Sequence, residues 1–385
     1  MKRQLFVLID AMGWEVVCRH HAFETLAPNR RPLETVLGYS SGAIPTILSG
    51  RMPREHGHWA LFPRALGRSP FAWTAWLRLL PRSWQHRYRV RRFIREATRQ
   101  REHITGYFQI YDVPVWLLAR LDYAERHDLW TPGGLAPEGG VFDRWREQGR
   151  AYFSSGWEGP DEDKFARALR TAADPAVRAY FVYATELDAL MHRVGTHDLE
   201  VGALLRRYED RTAALVRALA AGGEEPELWV FSDHGMTDTV ASHDLMGEVA
   251  GLGLRERRDY LGFYDSTMAR FWIERPAAEA PIAGLLRGLP WGALLDRGEL
   301  RRQGLDFSDR RYGDLIFLMQ PGHLIAPSYM GRGAPEAMHG FHPDHPDSAG
   351  ALLSPRPLPE DVRHIRDLYR LLVGDVGSGA GGGGV

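Results

Sequence analysis

The sequence predicts an α/β fold in which a mostly parallel central sheet lies between layers of helices. Three short apolar runs, at residues 4–9, 179–183 and 227–231, have the length and continuous hydrophobicity of buried parallel strands. Segments with helical periodicity at 162–172 and 199–221 alternate with these runs. Such alternation of strand and helix favours a parallel sheet that is covered on both faces.

The composition is that of a globular protein. Of the 385 residues, 44% are hydrophobic and 25% are charged, and the formal net charge is −1. A net charge so close to zero gives no reason to expect a nucleic-acid partner. The single cysteine, Cys18, excludes a disulfide or a cysteine-based zinc site within the chain. No apolar run reaches the roughly 18 residues of a membrane span, so we expect a cytoplasmic protein.

The first predicted strand, residues 4–9, is followed directly by Asp10. In open α/β sheets, functional groups collect beyond the carboxyl ends of the strands, which is where Asp10 lies. On position alone, Asp10 suits the N-cap of a following helix equally well. A second strand candidate at 32–37 leads to Ser40 and Ser41, at the start of a helix-like segment. A hydroxyl there lies where backbone N–H groups favour a phosphate, although two serines before a helix are also typical of a cap.

Residues 64–150 differ from the rest of the chain. The part at 64–105 carries eleven arginines against two acids. Three interpretations remain open: a solvated basic helix, a lid whose arginines attract an anionic substrate, and a surface that contacts anionic lipid. A strand is predicted at 106–113. The segment also opens with an aromatic cluster, namely Phe71, Trp73, Trp76 and Trp84.

The α/β pattern then resumes and continues to the end of the chain. Strands are predicted at 151–153, 269–273 and 314–319, and helices at 187–193, 281–288 and 359–373. The residues 377–385 are nearly all glycine and are expected to be disordered.

The second half also carries acids and histidines in suggestive positions. Asp188 and His192 stand four apart, so that on a helix they share one face and can share an ion. Asp233 and His234 follow the strand at 227–231 and would lie in a loop at its end. Each pair taken alone is as easily an ordinary polar pair.

Five short motifs stand in order along the chain: Asp10, Ser40, Asp188 with His192, Asp233-His234-Gly235, and His339-Gly340. Together they resemble the alkaline phosphatase superfamily, and most closely its type I phosphodiesterase/nucleotide pyrophosphatase branch. The resemblance runs from Asp10 to about His342. In that family the nucleophile lies ten residues before a glycine, and counting back from Gly50 gives Ser40. The family also has a Pro-x-x-His-Gly element, here residues 53–57, whose histidine, His56, supports the loop instead of binding metal.

The resemblance implies a catalytic α/β domain made of residues 1–63 and 151–376, with an inserted cap at 64–150. It also implies two divalent metal ions, zinc with manganese as the alternative. One ion takes Asp188, His192 and His339, and the other takes Asp10, Asp233, His234 and the oxygen of Ser40. The implied activity is metal-dependent hydrolysis of a small anionic phosphodiester or related ester, through Ser40 and a phosphoryl-enzyme intermediate.

The chain departs from the family pattern at the serine pair. Gly42 stands where relatives have proline, which leaves Ser41 in a shifted loop as the alternative nucleophile. The absence of the Pro and Arg that follow a sulfatase nucleophile argues against a sulfatase. Alternative functions are a phosphomonoesterase, a phosphotransferase and a non-catalytic member of the family.

Overall fold

The computed structural model describes residues 2–374 except Leu80, His86, Glu138 and Gly222. The tail predicted to be disordered at 377–385 lies outside the described residues. The strands are β1 Gln4–Ile9, β2 Asn29–Leu33, β3 Tyr152–Ser154, β4 Ala179–Ala184, β5 Glu227–Phe231, β6 Thr237–Asp238, β7 Ala241–His243, β8 Tyr260–Tyr264, β9 Met268–Ile273, β10 Gly292–Leu294, β11 Leu315–Met319, β12 His323–Ile325, β13 Ala337–Met338 and β14 Gly350–Ser354.

The α-helices alternate with these strands over much of the chain. They are α1 Trp14–Arg19, α2 Ser40–Ser49, α3 Pro53–His56, α4 Arg82–Gln85, α5 Tyr88–Arg101, α6 Val115–Leu118, α7 Val141–Glu147, α8 Asp161–Thr171, α9 Glu186–Val194, α10 Leu199–Ala220, α11 Leu245–Ala250, α12 Glu279–Gly288, α13 Arg297–Arg302 and α14 Leu368–Val373. Among the helices described, none is both long enough and apolar enough to cross a bilayer.

The central sheet has six strands in the order β2-β14-β5-β1-β4-β3. Strands β5, β1, β4 and β3 are parallel, while β14 runs antiparallel to both β5 and β2. Strand β1 lies in the interior of the sheet, with Leu5 opposite Tyr180 on one side and Leu228 on the other. The predicted mostly parallel sheet is therefore confirmed.

Helices cover both faces of this sheet. Successive side chains of a strand point to opposite faces. Leu5, Val7 and Ile9 of β1 belong to a core that α8 and α10 complete, whereas Phe6 and Leu8 belong to a second core against α2, α7 and α14. The five apolar side chains of β1, from Leu5 to Ile9, are all fully buried. A continuous apolar run was therefore the correct signal for this strand.

A second sheet, antiparallel throughout, has the order β10-β11-β9-β8. It forms its own core with α11, α12 and the residues from Phe62 to Tyr123. The residues from Leu129 to Trp145 instead pack into the core beneath the central sheet. The segment at 64–150 thus packs in two parts, and its role as a separate cap stays a prediction.

A short antiparallel ribbon ties two distant parts of the chain together. Strand β6 pairs with β13, with Thr237 opposite Met338 and Asp238 opposite Ala337. The backbone N–H of Thr239 donates to Glu336 O at 2.8 Å and extends the ribbon by one residue. The ribbon lies just after the β5 loop and just before His339.

The strand predicted at 106–113 is wrong, since these residues form a loop. Arg91, buried on the inner face of α5, donates hydrogen bonds to Ile110 O at 2.8 Å and to Val113 O at 2.7 Å, and a further one to Tyr111 O. Its guanidinium thus takes the carbonyl groups that a neighbouring strand would otherwise bond. Arg91 holds this loop in place.

Two further boundaries differ from the prediction. The strand candidate at 32–37 is shifted to Asn29–Leu33, where it pairs with β14. The helix predicted at 359–373 is confined to Leu368–Val373. Arg31 donates hydrogen bonds to Pro359 O and Val362 O, at 2.9 and 3.3 Å, so these carbonyls serve a contact between segments instead of a helix.

Candidate metal centre

Three parallel strands, β1, β4 and β5, end side by side at one edge of the central sheet, and the predicted ligands follow them. Carboxyl ends of parallel strands meet at such an edge, which is how residues far apart in sequence come together. The ligands lie directly after β1 (Asp10), directly after β4 on α9 (Asp188 and His192), after β5 (Asp233 and His234) and after β13 (His339).

The first cluster consists of Asp10, Asp233 and His234, all buried. His234 Nε2 lies 3.1 Å from Asp233 Oδ2 and 3.7 Å from Asp10 Oδ1. Ser40, the first residue of α2, places its Oγ 2.9 Å from the same His234 nitrogen. The structure thus brings all four residues of this predicted set together.

The second cluster consists of Asp188, His192 and His339. Asp188 Oδ1 lies 3.3 Å from His192 Nε2, one helical turn along α9, and 3.4 Å from His339 Nε2. The His339 ring stacks on the His234 ring of the first cluster, with centroids 4.0 Å apart. The two clusters therefore adjoin.

Backbone groups fix how these side chains are presented. His192 Nδ1 donates to Ala337 O at 2.7 Å and His234 Nδ1 to Gly235 O at 3.0 Å, so each ring turns Nε2 toward its cluster. The Ala11 N–H donates to Asp233 Oδ1 at 3.2 Å, which leaves Oδ2 facing His234. This is the arrangement that surrounds the ligands of metal sites.

Only glycine fits after His234. A Cβ on Gly235 would lie 1.9 Å from Asp347 O, well inside van der Waals contact. The absence of a side chain lets the loop after β5 pass beneath the segment before β14, and this path aims Asp233 and His234 at the edge of the sheet.

The clusters fit divalent metal ions. Asp10 Oδ1, Asp188 Oδ1 and Asp233 Oδ2 are buried and accept no hydrogen bond from any described residue, although each faces imidazole nitrogens. Two ligand atoms of a tetrahedral zinc ion, each roughly 2.0–2.1 Å from the metal, lie about 3.3 Å apart. The separations of 3.1, 3.3 and 3.4 Å between the carboxylate oxygens and Nε2 atoms match that spacing.

The electrostatics of the clusters also favour cations. Burial raises the pKa of Asp10 well above its ordinary value, and the charges of Asp233 and Asp188 add to this effect. Burial likewise raises the pKa of Asp233. Burial opposes the ionisation of Asp188, but His192 and His339 outweigh it and lower the pKa of that carboxyl. Carboxylates crowded in a buried site are costly unless positive charge compensates them.

The two serines of α2 have different surroundings. Ser40 is half-buried and faces His234, whereas Ser41 is buried and donates from Oγ to Trp59 O at 3.0 Å. Neither serine caps the helix, whose N-cap residue is Tyr39. Ser40 is thus the hydroxyl at the clusters, and Ser41 holds α2 against the loop at Trp59.

His56 lies outside both clusters. It is buried, with Nε2 3.0 Å from Thr46 Oγ1 on α2, and its Nδ1 accepts from the His58 N–H at 3.2 Å. Burial lowers the pKa of His56 to about 3, so the ring is neutral near pH 7. It links the loop after α3 to the helix that carries Ser40, in keeping with the supporting role that the resemblance implies.

Tyr183 could not be recognised as a site residue from the sequence, because it lies in the apolar run of β4. Its hydroxyl donates to Asp10 Oδ2, and its ring stacks on Trp130 with centroids 4.4 Å apart. Burial, with the charge of Asp10, raises the pKa of Tyr183 well above its ordinary value, so the phenol remains a donor. Tyr183 therefore orients Asp10 so that Oδ1 faces the cluster.

We expect Tyr183→Phe to weaken metal binding by about 10- to 100-fold, as is typical when a partner of a metal ligand is removed. Titration against a chelating indicator measures this affinity directly. Tyr180→Phe is the matched control, because Tyr180 lies on the same strand and donates to Thr171 O at 3.1 Å, away from both clusters. Equal affinities for the two variants would contradict the orienting role.

Tyr107, in the segment at 64–150, lies where the charge of a residue in the second cluster affects it. Its hydroxyl lies 2.7 Å from that of Tyr111, and its ring contacts the Trp157 ring edge-on at 5.4 Å. Burial raises the pKa of Tyr107, and the negative charges of Glu125 and Asp188 contribute. Tyr107 is thus within electrostatic reach of the second cluster.

Comparisons with known proteins agree with this architecture. Solved structures of ectonucleotide pyrophosphatase/phosphodiesterase 5 are similar over almost their whole length. The murine protein has a TM-score of 0.66 and 14% identity, over 96% of this chain and 94% of that one. An inactive murine variant in complex with AMP has a TM-score of 0.67 and 15% identity, over 97% and 95%. The human protein has a TM-score of 0.67 and 13% identity, over 96% and 94%.

At such low identities, these structures establish the fold alone. None of the curated protein sequences matched the chain. The sequence model of type I phosphodiesterases/nucleotide pyrophosphatases, in contrast, matches residues 5–342, which include all seven predicted site residues. The chain therefore belongs to the type I phosphodiesterase/nucleotide pyrophosphatase family, within the alkaline phosphatase superfamily.

Proposed function

We propose that this chain hydrolyses a phosphodiester or a related phosphate ester, with Ser40 as the nucleophile and two divalent metal ions as cofactors. The observation that carries the proposal is the position of Ser40 Oγ, 2.9 Å from His234 Nε2 at the point where two clusters of metal-ligand type adjoin. Membership of the family supports the reaction class.

Six side chains would hold the metals. Asp10, Asp233 and His234 suit one ion together with the Ser40 oxygen, and Asp188, His192 and His339 suit the other. The mixture of imidazole and carboxylate favours zinc, with manganese as the alternative. Such ions lower the pKa of a hydroxyl and stabilise negative charge on phosphoryl oxygens.

The chain positions the nucleophile at the amino end of α2. The backbone N–H groups and the dipole of this ten-residue helix favour a phosphoryl group there. Ser40 Oγ gives its proton to solvent and attacks phosphorus, the bond to the leaving oxygen breaks, and the released alcohol takes up a proton. Water then attacks phosphorus of the seryl ester, which releases a phosphate monoester from a diester substrate, and a proton from that water restores the Ser40 hydroxyl.

The substrate is proposed to be a small anionic ester. The structure of the murine relative in complex with AMP shows that a nucleoside phosphate binds that protein. A nucleotide-derived diester is therefore the first candidate for this chain. Tyr107 and Trp157, whose rings contact each other, are proposed to contact its non-reacting part, since the charge of Asp188 contributes to the raised pKa of Tyr107.

A matched pair of esters tests the proposed reaction. After loading with zinc or manganese, we expect bis(4-nitrophenyl) phosphate to be hydrolysed with a kcat/KM at least about tenfold above that of 4-nitrophenyl phosphate. A reversed preference would establish a phosphomonoesterase. Phosphate transfer to added alcohols in place of water would indicate a phosphotransferase, and inactivity of the loaded protein on a broad ester panel would indicate a non-catalytic member.

A further inference from the structure

Exposed aromatic side chains are concentrated in one part of the chain. Eight large hydrophobic side chains are exposed among the described residues, and five of them lie between residues 66 and 93. Four of these five are aromatic, and their exposed fractions are 55% for Trp76, 47% for Trp84, 74% for Tyr88 and 56% for Phe93. Isolated exposed apolar residues need no explanation, but a concentration of this kind indicates an interaction surface.

These side chains are carried by packed helices. The 3₁₀ helix Ala72–Leu79 and α4 pack against each other, and α4 packs against α5. The buried Thr98 of α5 accepts a hydrogen bond from Trp73 Nε1 at 3.1 Å, and the Trp73 ring contacts Phe93 edge-on at 5.9 Å. The buried side chains of α5, such as Arg91 and Thr98, already have hydrogen-bond partners within the chain. The helix is therefore held in place, and its exposed aromatic side chains face away from the body of the protein.

Positive charge accompanies the aromatic residues. Arg89 and Arg92, which are both exposed, lie on the outer face of α5 with Tyr88 and Phe93. No acidic side chain pairs with Arg89 or Arg92 within the described part of the chain, whereas the neighbouring Arg95 pairs with Glu96 at 2.8 Å. In a chain whose net charge is −1, this segment is a local excess of cations. The outer aromatic face is hereafter the exposed α5 residues Tyr88, Arg89, Arg92 and Phe93, together with the exposed Trp76 and Trp84 of the two short helices that precede α5.

The chemistry of this face fits a membrane surface better than a protein partner. A protein interface would have to pair or dehydrate both free arginines. At a bilayer surface, long cationic side chains reach the phosphate headgroups while their stems and the adjacent aromatic rings lie in the interfacial layer. Tryptophan and tyrosine are enriched at that depth because one end of each is apolar and the other polar.

We propose that the outer aromatic face docks the protein on anionic phospholipid. The attraction is electrostatic through Arg89 and Arg92 and is strengthened by partial insertion of the aromatic rings. The association is peripheral and reversible, since a few side chains supply it. This proposal is independent of the reaction that the metal centre performs.

Co-sedimentation of the full chain with vesicles tests the proposal. We expect binding to phosphatidylcholine vesicles that contain about 30% phosphatidylserine, little binding to pure phosphatidylcholine, and loss of binding at high salt. Arg89→Gln combined with Arg92→Gln should weaken binding by about 20- to 30-fold, at roughly fivefold for each arginine. Tyr88→Ser combined with Phe93→Ser should weaken it even at low salt, and unchanged melting temperatures would show that both variants are folded.

The matched control removes the same charge elsewhere. Arg206 and Arg207 are exposed on α10, so Arg206→Gln combined with Arg207→Gln should leave vesicle binding unchanged. Equal weakening by the two arginine pairs would overturn the proposal, because only net charge would then matter. The proposal would also be overturned if the wild type did not sediment with anionic vesicles. It would equally be overturned if the wild type formed dimers in solution and the Tyr88→Ser, Phe93→Ser variant lost dimer formation but kept vesicle binding.

Discussion

Replacing Ser40 by alanine is expected to abolish turnover, with kcat lower by at least about 10³-fold, as for the loss of other hydroxyl nucleophiles. Metal content should remain at the wild-type level, because the six carboxylate and imidazole side chains of the two clusters are untouched. Steady-state kinetics on a chromogenic diester and metal analysis of the same preparation measure the two quantities together.

Ser41→Ala is the matched control for this experiment. Ser41 donates to Trp59 O at 3.0 Å in a buried position, so its loss should cost about 1–2 kcal/mol of stability and leave most of the activity. Trapping with a slowly hydrolysed ester, followed by peptide mapping, should place the phosphoryl group on Ser40. If Ser41→Ala were inactive and Ser40→Ala active, the nucleophile would be one residue further along α2.

Removal of a metal ligand is expected to have the second largest effect. Asp233→Asn in the first cluster, or His192→Ala in the second, should reduce the bound metal from the proposed two ions per chain to about one. Because a catalytic ion contributes several kcal/mol to the transition state, kcat should fall by at least about 10²-fold. Chelators should inactivate the wild type, and zinc or manganese should restore it.

Asp238→Asn provides the control for the ligand variants. Asp238 lies five residues after Asp233 and accepts from the Thr196 N–H at 2.7 Å, outside both clusters, so this variant should keep its metal and its activity. Full activity in metal-free wild-type protein would exclude metal-assisted chemistry and with it the proposed roles of both clusters.

The central sheet was predictable because its strands carry their own signal. A strand buried on both faces, such as β1 or β4, reads as an uninterrupted apolar run wherever it occurs. Strand β14 carries no such signal. It is a short run at Gly350–Ser354 that joins β2 to β5 only through pairing with residues more than a hundred positions away. Strand β8 in the second sheet was also not predicted, although it pairs with β9, the next strand along the chain; Gly262 interrupts its short run of large apolar residues.

The sequence predicted which carboxylates and imidazoles come together in the candidate site, and nothing of the residues that support them. Carboxylates and imidazoles at strand ends can be recognised by residue type and position. Tyr183 and Arg91 act through hydrogen bonds to groups distant in sequence, namely Asp10 Oδ2 and the carbonyls of the 110–113 loop. No local periodicity marks such contacts. From the sequence, Tyr183 was therefore interpreted as a core residue of a strand, and Arg91 as one more exposed arginine of a basic segment.

The β6–β13 ribbon has a consequence for how this protein can diversify. The ribbon closes the chain between Thr237 and Met338 into a loop that contains the whole second sheet. Residues outside the loop also hold the ribbon in place. His192 Nδ1 donates to Ala337 O, and the Glu336 N–H donates to His192 O at 2.9 Å. The ribbon keeps His234 and His339 next to each other whatever the length of the surface segments inside the loop, while the second sheet stays packed on the residues from Phe62 to Tyr123. Evolution, or an engineer, can thus vary those surface segments between two candidate ligands without rebuilding the centre to which both belong.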